Sequence, residues 1–198
     1  MPARLWWKTS FLLLFPLAAP LGNTVDSATP ARAPTTSQQP GCLATGNGFL
    51  RARIRGALNL DIDWKNSELE CDGGERPNGH GIRLSFAGPM RSGGRRLRMV
   101  FGVATAAEGA PGRALPTNLT VIFEGEQRLY STRGEDHCTV DELKEERVGA
   151  LGPAVRSYRV VARGFCTEPA SALGGDEHII VTRFDFAGSV HFDNPRPH

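Results

Sequence analysis

Residues 56–71 read GALNLDIDWKNSELEC, and this stretch decides the fold class. Apolar and polar residues alternate one by one over its first half: Leu58, Asn59, Leu60, Asp61, Ile62, Asp63, Trp64, Lys65. A period of two is typical of a β-strand with one buried and one solvated face. A turn at 65–67 follows, and the alternation then resumes until Cys71. We therefore predict a core strand that contains Trp64, a turn and a second strand held in place by a disulfide.

The preceding residues 49–55, FLRARIR, alternate arginine with apolar residues and predict the partner strand of a hairpin. Its arginines, at 51, 53 and 55, are then expected to face Asn59, Asp61 and Asp63, which stabilises the hairpin because opposite charges lie across from each other. Asp61 and Asp63 lie about 7 Å apart on one strand face, a separation that calcium binding or glycoside hydrolysis could use. The chain has no calcium-loop spacing of acidic residues here, so we interpret the two aspartates as an ion-paired outer face.

Similar alternation predicts strands at 82–86, 97–101, 119–124, 128–132, 155–163 and 178–192, with a hairpin over 117–132. In the last strand, residues 180, 182, 184 and 186 are expected on one face, and Gly188 predicts a bulge or bend. Thr139 followed by Glu142 forms a capping box, which predicts one short helix at 139–148. Residues 102–116 predict a mobile connection. Together these elements favour an all-β antiparallel sandwich, jelly-roll-like or barrel-like; the alternative is an α+β domain in which the helix carries more of the core.

The N-terminus has the composition of an export signal. Basic Arg4 and Lys8 precede an apolar run at 11–19, which is too short for the roughly 20 residues of a membrane span. Residues 23–40 are rich in Thr, Ser, Ala, Gln and Pro and predict a disordered spacer. We therefore divide the chain into a signal peptide (1–22), a spacer (23–40), one β-rich domain (41–192) and a frayed tail (193–198). The alternative for the first segment is a short membrane anchor that is never cleaved.

The chain has four cysteines, Cys42, Cys71, Cys138 and Cys166. An even number of widely spaced cysteines after an export signal predicts two disulfides and an oxidising compartment, so we expect a periplasmic or secreted protein. Of the three possible connectivities we favour Cys42–Cys71 with Cys138–Cys166, because each bond closes a loop of about 30 residues.

The net charge of +2, from 23 basic and 21 acidic residues, gives no electrostatic signature of nucleic-acid binding. Arginine greatly outnumbers lysine: beyond the signal, only Lys65 and Lys144 remain. Together with abundant Ala, Gly and Pro, this bias indicates a bacterial genome of high GC content. A basic cluster surrounds a glycine-rich turn, and we interpret it as a solvated hairpin loop rather than an anion or polysaccharide contact: Arg91, Arg95, Arg96, Arg98.

Two histidines are candidates for acid–base chemistry: His80 lies between glycines, and His137 follows an aspartate. No nucleophile elbow, SxxK or HExxH motif accompanies them, so we assign no catalytic, cofactor-binding or metal-binding residue. We expect a non-enzymatic binding or envelope-associated protein with an envelope or extracellular partner, no nucleic-acid partner, no cofactor and no transmembrane span in the mature chain. The alternatives are a hydrolase of glycans or esters with a carboxylate or histidine site assembled from loops, and a barrel that binds a small apolar ligand.

Overall fold

A computed structural model describes residues 41–91, 94–150 and 155–193. The predicted signal peptide (1–22), the predicted spacer (23–40) and the tail beyond Asp193 lie outside these residues. The described strands are β1 Phe49–Gly56, β2 Leu60–Lys65, β3 Glu70–Glu75, β4 Ile82–Pro89, β5 Arg96–Val103, β6 Gly112–Glu124, β7 Arg128–Ser131, β8 Cys138–Ala150, β9 Val155–Cys166, β10 Ala170–Ala172 and β11 His178–Asp193. In the described part of the chain, the only helical turn is the 3₁₀ segment Asn66–Glu68.

The all-β prediction is confirmed, and the α+β alternative is wrong. The strands pair in the order β3–β4–β5–β6–β8–β9–β11, and β11 returns to β3 through one parallel pair, His191 with Gly74. All other pairings are antiparallel. The sheet thus folds back on itself into a barrel-like fold, with β7 and β10 between β6 and β11 and with the β1–β2 hairpin extending from β11.

The predicted hairpin of arginine and aspartate strands is confirmed. Arg51 lies opposite Asp63 and Arg53 opposite Asp61. The Arg51 Nε atom is 3.2 Å from an Asp63 oxygen, and Arg55 Nη2 is 2.8 Å from an Asp61 oxygen. These ion pairs are exposed, so each contributes at most about 1 kcal/mol. Their main consequence is to set the register of β2 on β1.

The predicted helix at 139–148 is wrong, because these residues belong to β8. This strand pairs with β6 on one edge and with β9 on the other. Its register shifts between Val140 and Glu142, so Val140 and Leu143 both point into the core although they are three residues apart. A bulge in a strand therefore produced the spacing that indicated a helix.

The predicted bulge at Gly188 is also wrong, because Gly188 pairs with Val160 of β9 without a break. A Cβ atom at Gly188 would lie 2.7 Å from the Phe86 ring, so glycine is needed there for close packing. The bulge lies instead at Thr182, where Arg53 pairs with Arg183 but Ile54 pairs with Val181. The bulge reverses the expected faces only in the part of the strand that precedes it. There, Ile179 and Val181 are buried, whereas residues 180 and 182 are not.

The centre of the fold is filled by aromatic side chains. Four phenylalanines are fully buried and have ring-centroid separations of 4.9–6.1 Å: Phe86, Phe101, Phe184, Phe186. Trp64 is 6% exposed, as expected for a core strand. These rings pack against one another and fill the middle of the described sheet.

The predicted disulfide connectivity is confirmed. Cys42 bonds to Cys71, which ties the segment before β1 to β3. Cys138 bonds to Cys166, its direct neighbour across β8 and β9. Within the residues described, no helix has the length and apolar character needed to cross a membrane.

Candidate functional site

The β1–β2 hairpin leaves one side of β2 unpaired in the part of the chain that the structure describes. The sheet order ends at β2, whose one strand partner there is β1. About half of the backbone N–H and C=O groups of such a strand point away from the sheet and can pair with another strand. Six residues at about 3.3 Å each make this edge roughly 20 Å long.

A groove of about 520 Å³ runs beside this edge, between β2 and the turn that joins β4 to β5. We call it the β2 groove. Ile62 and Trp64 of β2 and Leu97 of β5 are its most buried apolar lining residues, and Met90 packs against the core beside them. Its charged lining residues are Asp61, Asp63, Glu68 and Arg91. The groove therefore combines an apolar floor with a net negative rim.

Trp64 holds the β2 groove in shape. Its indole Nε1 donates a hydrogen bond of 2.8 Å to the Pro89 carbonyl oxygen at the end of β4. The ring lies directly on Gly88, where a Cβ atom would be 2.5–2.8 Å from three ring atoms. This contact fixes the distance between β2 and β4, so the edge of β2 faces the groove at that end.

The solvated face that starts at β2 carries charges of alternating sign. One row crosses six strands in register, from β2 through β1, β11, β9 and β8 to β6: Asp63, Arg51, Asp185, Arg163, Glu142, Arg113. Three neighbouring pairs in this row lie within 4 Å, at 3.2, 3.7 and 2.9 Å. We call it the charge ladder. Because each side chain has oppositely charged neighbours, the ladder favours this strand register and presents little net charge.

The residues singled out from the sequence do not converge on one site. Asp61 and Asp63 lie on the ion-paired face of β2. His80 is exposed in the turn after β3. His137 lies before β8, with its Nε2 atom 3.3 Å from a Glu168 oxygen and its Nδ1 atom buried without a hydrogen-bond partner among the described residues. The structure thus places these candidates in separate surroundings.

Only part of the basic cluster lies in the predicted hairpin loop: Arg91 and Arg95 lie between β4 and β5, whereas Arg96 and Arg98 lie on β5 and are half-buried. Three of its arginines bind carboxylates. Arg95 lies 3.2 Å from Glu126. Arg96 and Arg98 lie 3.0 and 2.6 Å from Glu124, and Arg96 also lies 2.9 Å from Glu70. These side chains are therefore neutralised within the fold.

A carboxylate pair near the loop at 104–111 escaped the sequence analysis. Glu145 Oε2 accepts a hydrogen bond of 2.7 Å from the Gly109 N–H, and Glu108 accepts two from Arg156 at 2.5 and 2.8 Å. Burial raises the pKa of Glu145, opposed by the Gly109 hydrogen bond and aided by the nearby Glu108 charge. The hydrogen bond from Arg156 lowers the pKa of Glu108, outweighing the effect of burial. Both carboxylates bind the loop to β8 and β9, so we interpret the pair as a structural clamp rather than a catalytic dyad.

Ser157 and His191 form a second contact that no sequence motif indicated. They lie opposite each other on β9 and β11, with Ser157 Oγ 2.9 Å from His191 Nδ1. His191 lines a polar cleft of about 390 Å³ with Asp72, Glu75, Arg83 and others. Ser157 is only 7% exposed and sits within the sheet. The contact therefore satisfies a buried hydroxyl group, and the serine is poorly placed to attack a substrate.

No family model, curated protein or solved structure matches this chain. The unpaired edge of β2 and the β2 groove are the features of the described residues that best indicate a function.

Proposed function

We propose that this protein is a non-enzymatic binding protein of a bacterial periplasm or of the extracellular space, and that it binds an extended peptide segment by strand addition to β2. The observation that carries the proposal is the unpaired edge of β2 beside the 520 Å³ β2 groove. In strand addition, backbone hydrogen bonds supply affinity and alternate side chains supply specificity. The two disulfides support an oxidising compartment.

The chemistry of β2 favours a partner that alternates basic and apolar residues. Its solvated face carries Asp61 and Asp63, and its other face carries Ile62 and Trp64. On its paired edge, β2 already binds such a segment, because β1 reads FLRARIRG. A second strand of this pattern would place cations beside the aspartates and apolar side chains over the groove floor.

A second copy of this chain is a poorer partner. In a symmetric antiparallel pairing centred on Ile62, Asp61 of each copy would face Asp63 of the other. Shifting the centre to Asp61 or Asp63 places that aspartate opposite itself. Like charges directly opposite each other destabilise a strand pair. The two aspartates of β2 therefore disfavour self-association along this edge.

Peptide titration tests the proposal. We expect a fluorescent FLRARIRG peptide to bind saturably, and its FLEAEIEG counterpart, which has the same apolar residues, to bind at least about fivefold more weakly. The double substitution Asp61→Lys and Asp63→Lys should weaken binding of FLRARIRG and favour FLEAEIEG. Glu146→Lys is the matched control, since it reverses an exposed charge on β8, away from the groove.

Three results would reject strand addition at β2. The first is equal affinity for the two peptides. The second is the same loss of affinity in Glu146→Lys as in the β2 variant. The third is unchanged binding after N-methylation of alternate peptide nitrogens, because methylation removes the backbone donors that a new strand needs.

The compartment is tested by thiol labelling of the protein expressed in a bacterium. We expect the chain in the periplasmic or culture fraction, with its four cysteines alkylated only after reduction. Four reactive thiols in the unreduced, exported protein would contradict this assignment.

A further inference from the structure

Arg183 of β11 departs from the alternating pattern of the outer face. It lies directly opposite Arg53 of β1, so two cations are cross-strand neighbours, with Cβ atoms about 5 Å apart. Arg53 is 3.5 Å from Asp61, but Arg183 has no carboxylate within 4 Å in the described residues. Asp61 is further shared with Arg55, at 2.8 Å. The row of cross-strand neighbours Asp61, Arg53 and Arg183 therefore ends in a positive charge without a carboxylate partner among the described residues.

The two arginines line a surface hollow of about 300 Å³. We call it the arginine hollow. Its floor includes Ala52 and Ile62, and its walls are charged: Arg51, Arg53, Asp61, Arg183, Asp185. Three arginines face two aspartates there, so the net charge of the lining is +1. Its shape and charge suit a compact anion.

The bulge at Thr182 lies directly beside this pair. Arg53 and Arg183 continue the register in which Arg51 pairs with Asp185, and beyond the bulge Ile54 pairs with Val181. The extra residue, Thr182, donates a hydrogen bond of 3.4 Å from its Oγ1 atom to the Arg53 carbonyl oxygen. Like charges placed opposite each other cost stability, and bulges commonly redirect side chains near functional sites.

We propose that the arginine hollow binds a divalent tetrahedral oxyanion, namely a phosphate or sulfate group, bridged by the guanidinium groups of Arg53 and Arg183. Planar guanidinium groups present paired N–H donors that match two oxygens of such an anion. The anion removes the repulsion between the two cations. The arginine hollow shares Asp61 and Ile62 with the lining of the β2 groove. Its two bridging arginines lie on β1 and β11, whereas strand addition uses the unpaired edge of β2.

Titration with inorganic phosphate, monitored by NMR of arginine Nε–Hε resonances at constant ionic strength, tests the proposal. We expect saturable shifts at Arg53 and Arg183 and about fivefold weaker binding in Arg183→Gln. Arg163→Gln is the matched control, because Arg163 is also exposed but is paired with Glu142 at 2.9 Å; this variant should bind phosphate like the wild type. Inorganic sulfate should compete with phosphate.

A second measurement separates the site from a general effect of charge. Without ligand, Arg183→Gln should be at least as stable as the wild type in low salt, because it removes a like-charge pair. Phosphate should raise the melting temperature of the wild type more than that of the variant. Phosphatidic acid vesicles distinguish the source: Arg183-dependent vesicle binding identifies a lipid headgroup, and phosphate binding without vesicle binding identifies a soluble ester. Shifts that do not saturate, or equal losses in Arg183→Gln and Arg163→Gln, would overturn the proposal.

Discussion

At the scale of single residues, glycines control how closely the aromatic core packs against the strands. Gly188 lies in the middle of β11, and its neighbour across the core is the Phe86 ring. Phe86 is fully buried and contacts both Phe101 and Phe186, so it has little freedom to move. The core therefore packs as it does only because residue 188 has no side chain.

We predict that Gly188→Ala destabilises the protein by about 1–3 kcal/mol, the usual cost of overfilling a packed core. Chemical denaturation followed by tryptophan fluorescence measures this loss. Gly149→Ala on β8 is the control, because a Cβ atom there has no neighbour within 4 Å, and it should change stability by less than about 0.5 kcal/mol. Equal stability of Gly188→Ala and the wild type would contradict the packing argument.

Single residues were predicted from the sequence wherever alternation or pairing chemistry was local. Trp64 was expected in the core, and the arginine–aspartate pairing of β1 and β2 was expected from charge alone. The bulge expected at Gly188 is absent, and the close contact that requires glycine there is with Phe86, about a hundred residues earlier in the chain. Arg183 was not recognised because its neighbour across the strands, Arg53, lies far earlier in the chain. Contacts of this kind exist only after the strands have paired.

At the scale of elements, the loop at 104–111 is bound to β8 and β9 through two carboxylates with opposite pKa shifts. Glu145 is disfavoured as an anion because burial raises its pKa. Other titratable or charged groups that interact with Glu108 are Arg147, Arg156 and Tyr158. The sequence predicted a mobile connection here, because Glu108 and Arg113 are its only charged residues. The partners that bind Glu108 lie far along the chain, so composition alone could not reveal them.

We predict that Glu145→Gln stabilises the protein at neutral pH. The folded state raises the pKa of Glu145, so ionisation opposes folding, and wild-type stability falls as the pH rises from the unfolded value near 4.5 through the higher folded value. Glutamine can still accept the Gly109 hydrogen bond but cannot ionise. Denaturation midpoints between pH 3 and pH 8 measure the effect, and the advantage of the variant should vanish at pH 3.

Glu108→Gln is the counterpart of this test. The folded state lowers the pKa of the wild-type Glu108 carboxyl group. Its ionised form therefore stabilises the fold above the unfolded pKa, and this stabilisation is lost as the pH falls through the folded value. The variant should therefore be less stable than the wild type at neutral pH and equal to it under strong acid. If both substitutions shifted stability in the same direction at pH 7, the clamp interpretation would be wrong.

Most strands were predicted near their observed positions from alternation. However, β6 begins at Gly112, inside the predicted connection 102–116, and β8 was assigned to the wrong class. Its capping-box sequence and the three-residue spacing from Val140 to Leu143 satisfy a local rule for helices. Pairing with both β6 and β9 outweighs that preference, since each neighbour supplies backbone hydrogen bonds along the strand. Local propensity is a weak signal where tertiary contacts compete with it.

At the scale of the whole molecule, the two disulfides cross-link residues that are far apart in sequence. Cys138–Cys166 joins β8 to β9, and Cys42–Cys71 ties the start of the described chain to β3. The two loops have sequence separations of 28 and 29 residues. Cross-links of this length are expected to stabilise a folded domain by limiting the unfolded chain.

We predict that replacing both cysteines of either bond by serine lowers the free energy of unfolding by about 3–4 kcal/mol. The Cys138 and Cys166 pair should cost more, because both side chains are buried and the serines would bring hydroxyl groups into the core. Urea denaturation of both double variants measures the losses. Unchanged stability in both would contradict a structural role for the bonds.

The central claim, strand addition at β2, is tested most directly by amide hydrogen exchange on the protein with and without the FLRARIRG peptide. We predict that peptide binding slows exchange of the outward-pointing amides of Leu60–Lys65 and leaves β8 unchanged. Protection should be lost when alternate peptide nitrogens are methylated. Saturable peptide binding without new protection in β2, or protection that appears elsewhere in the sheet instead, would contradict the account.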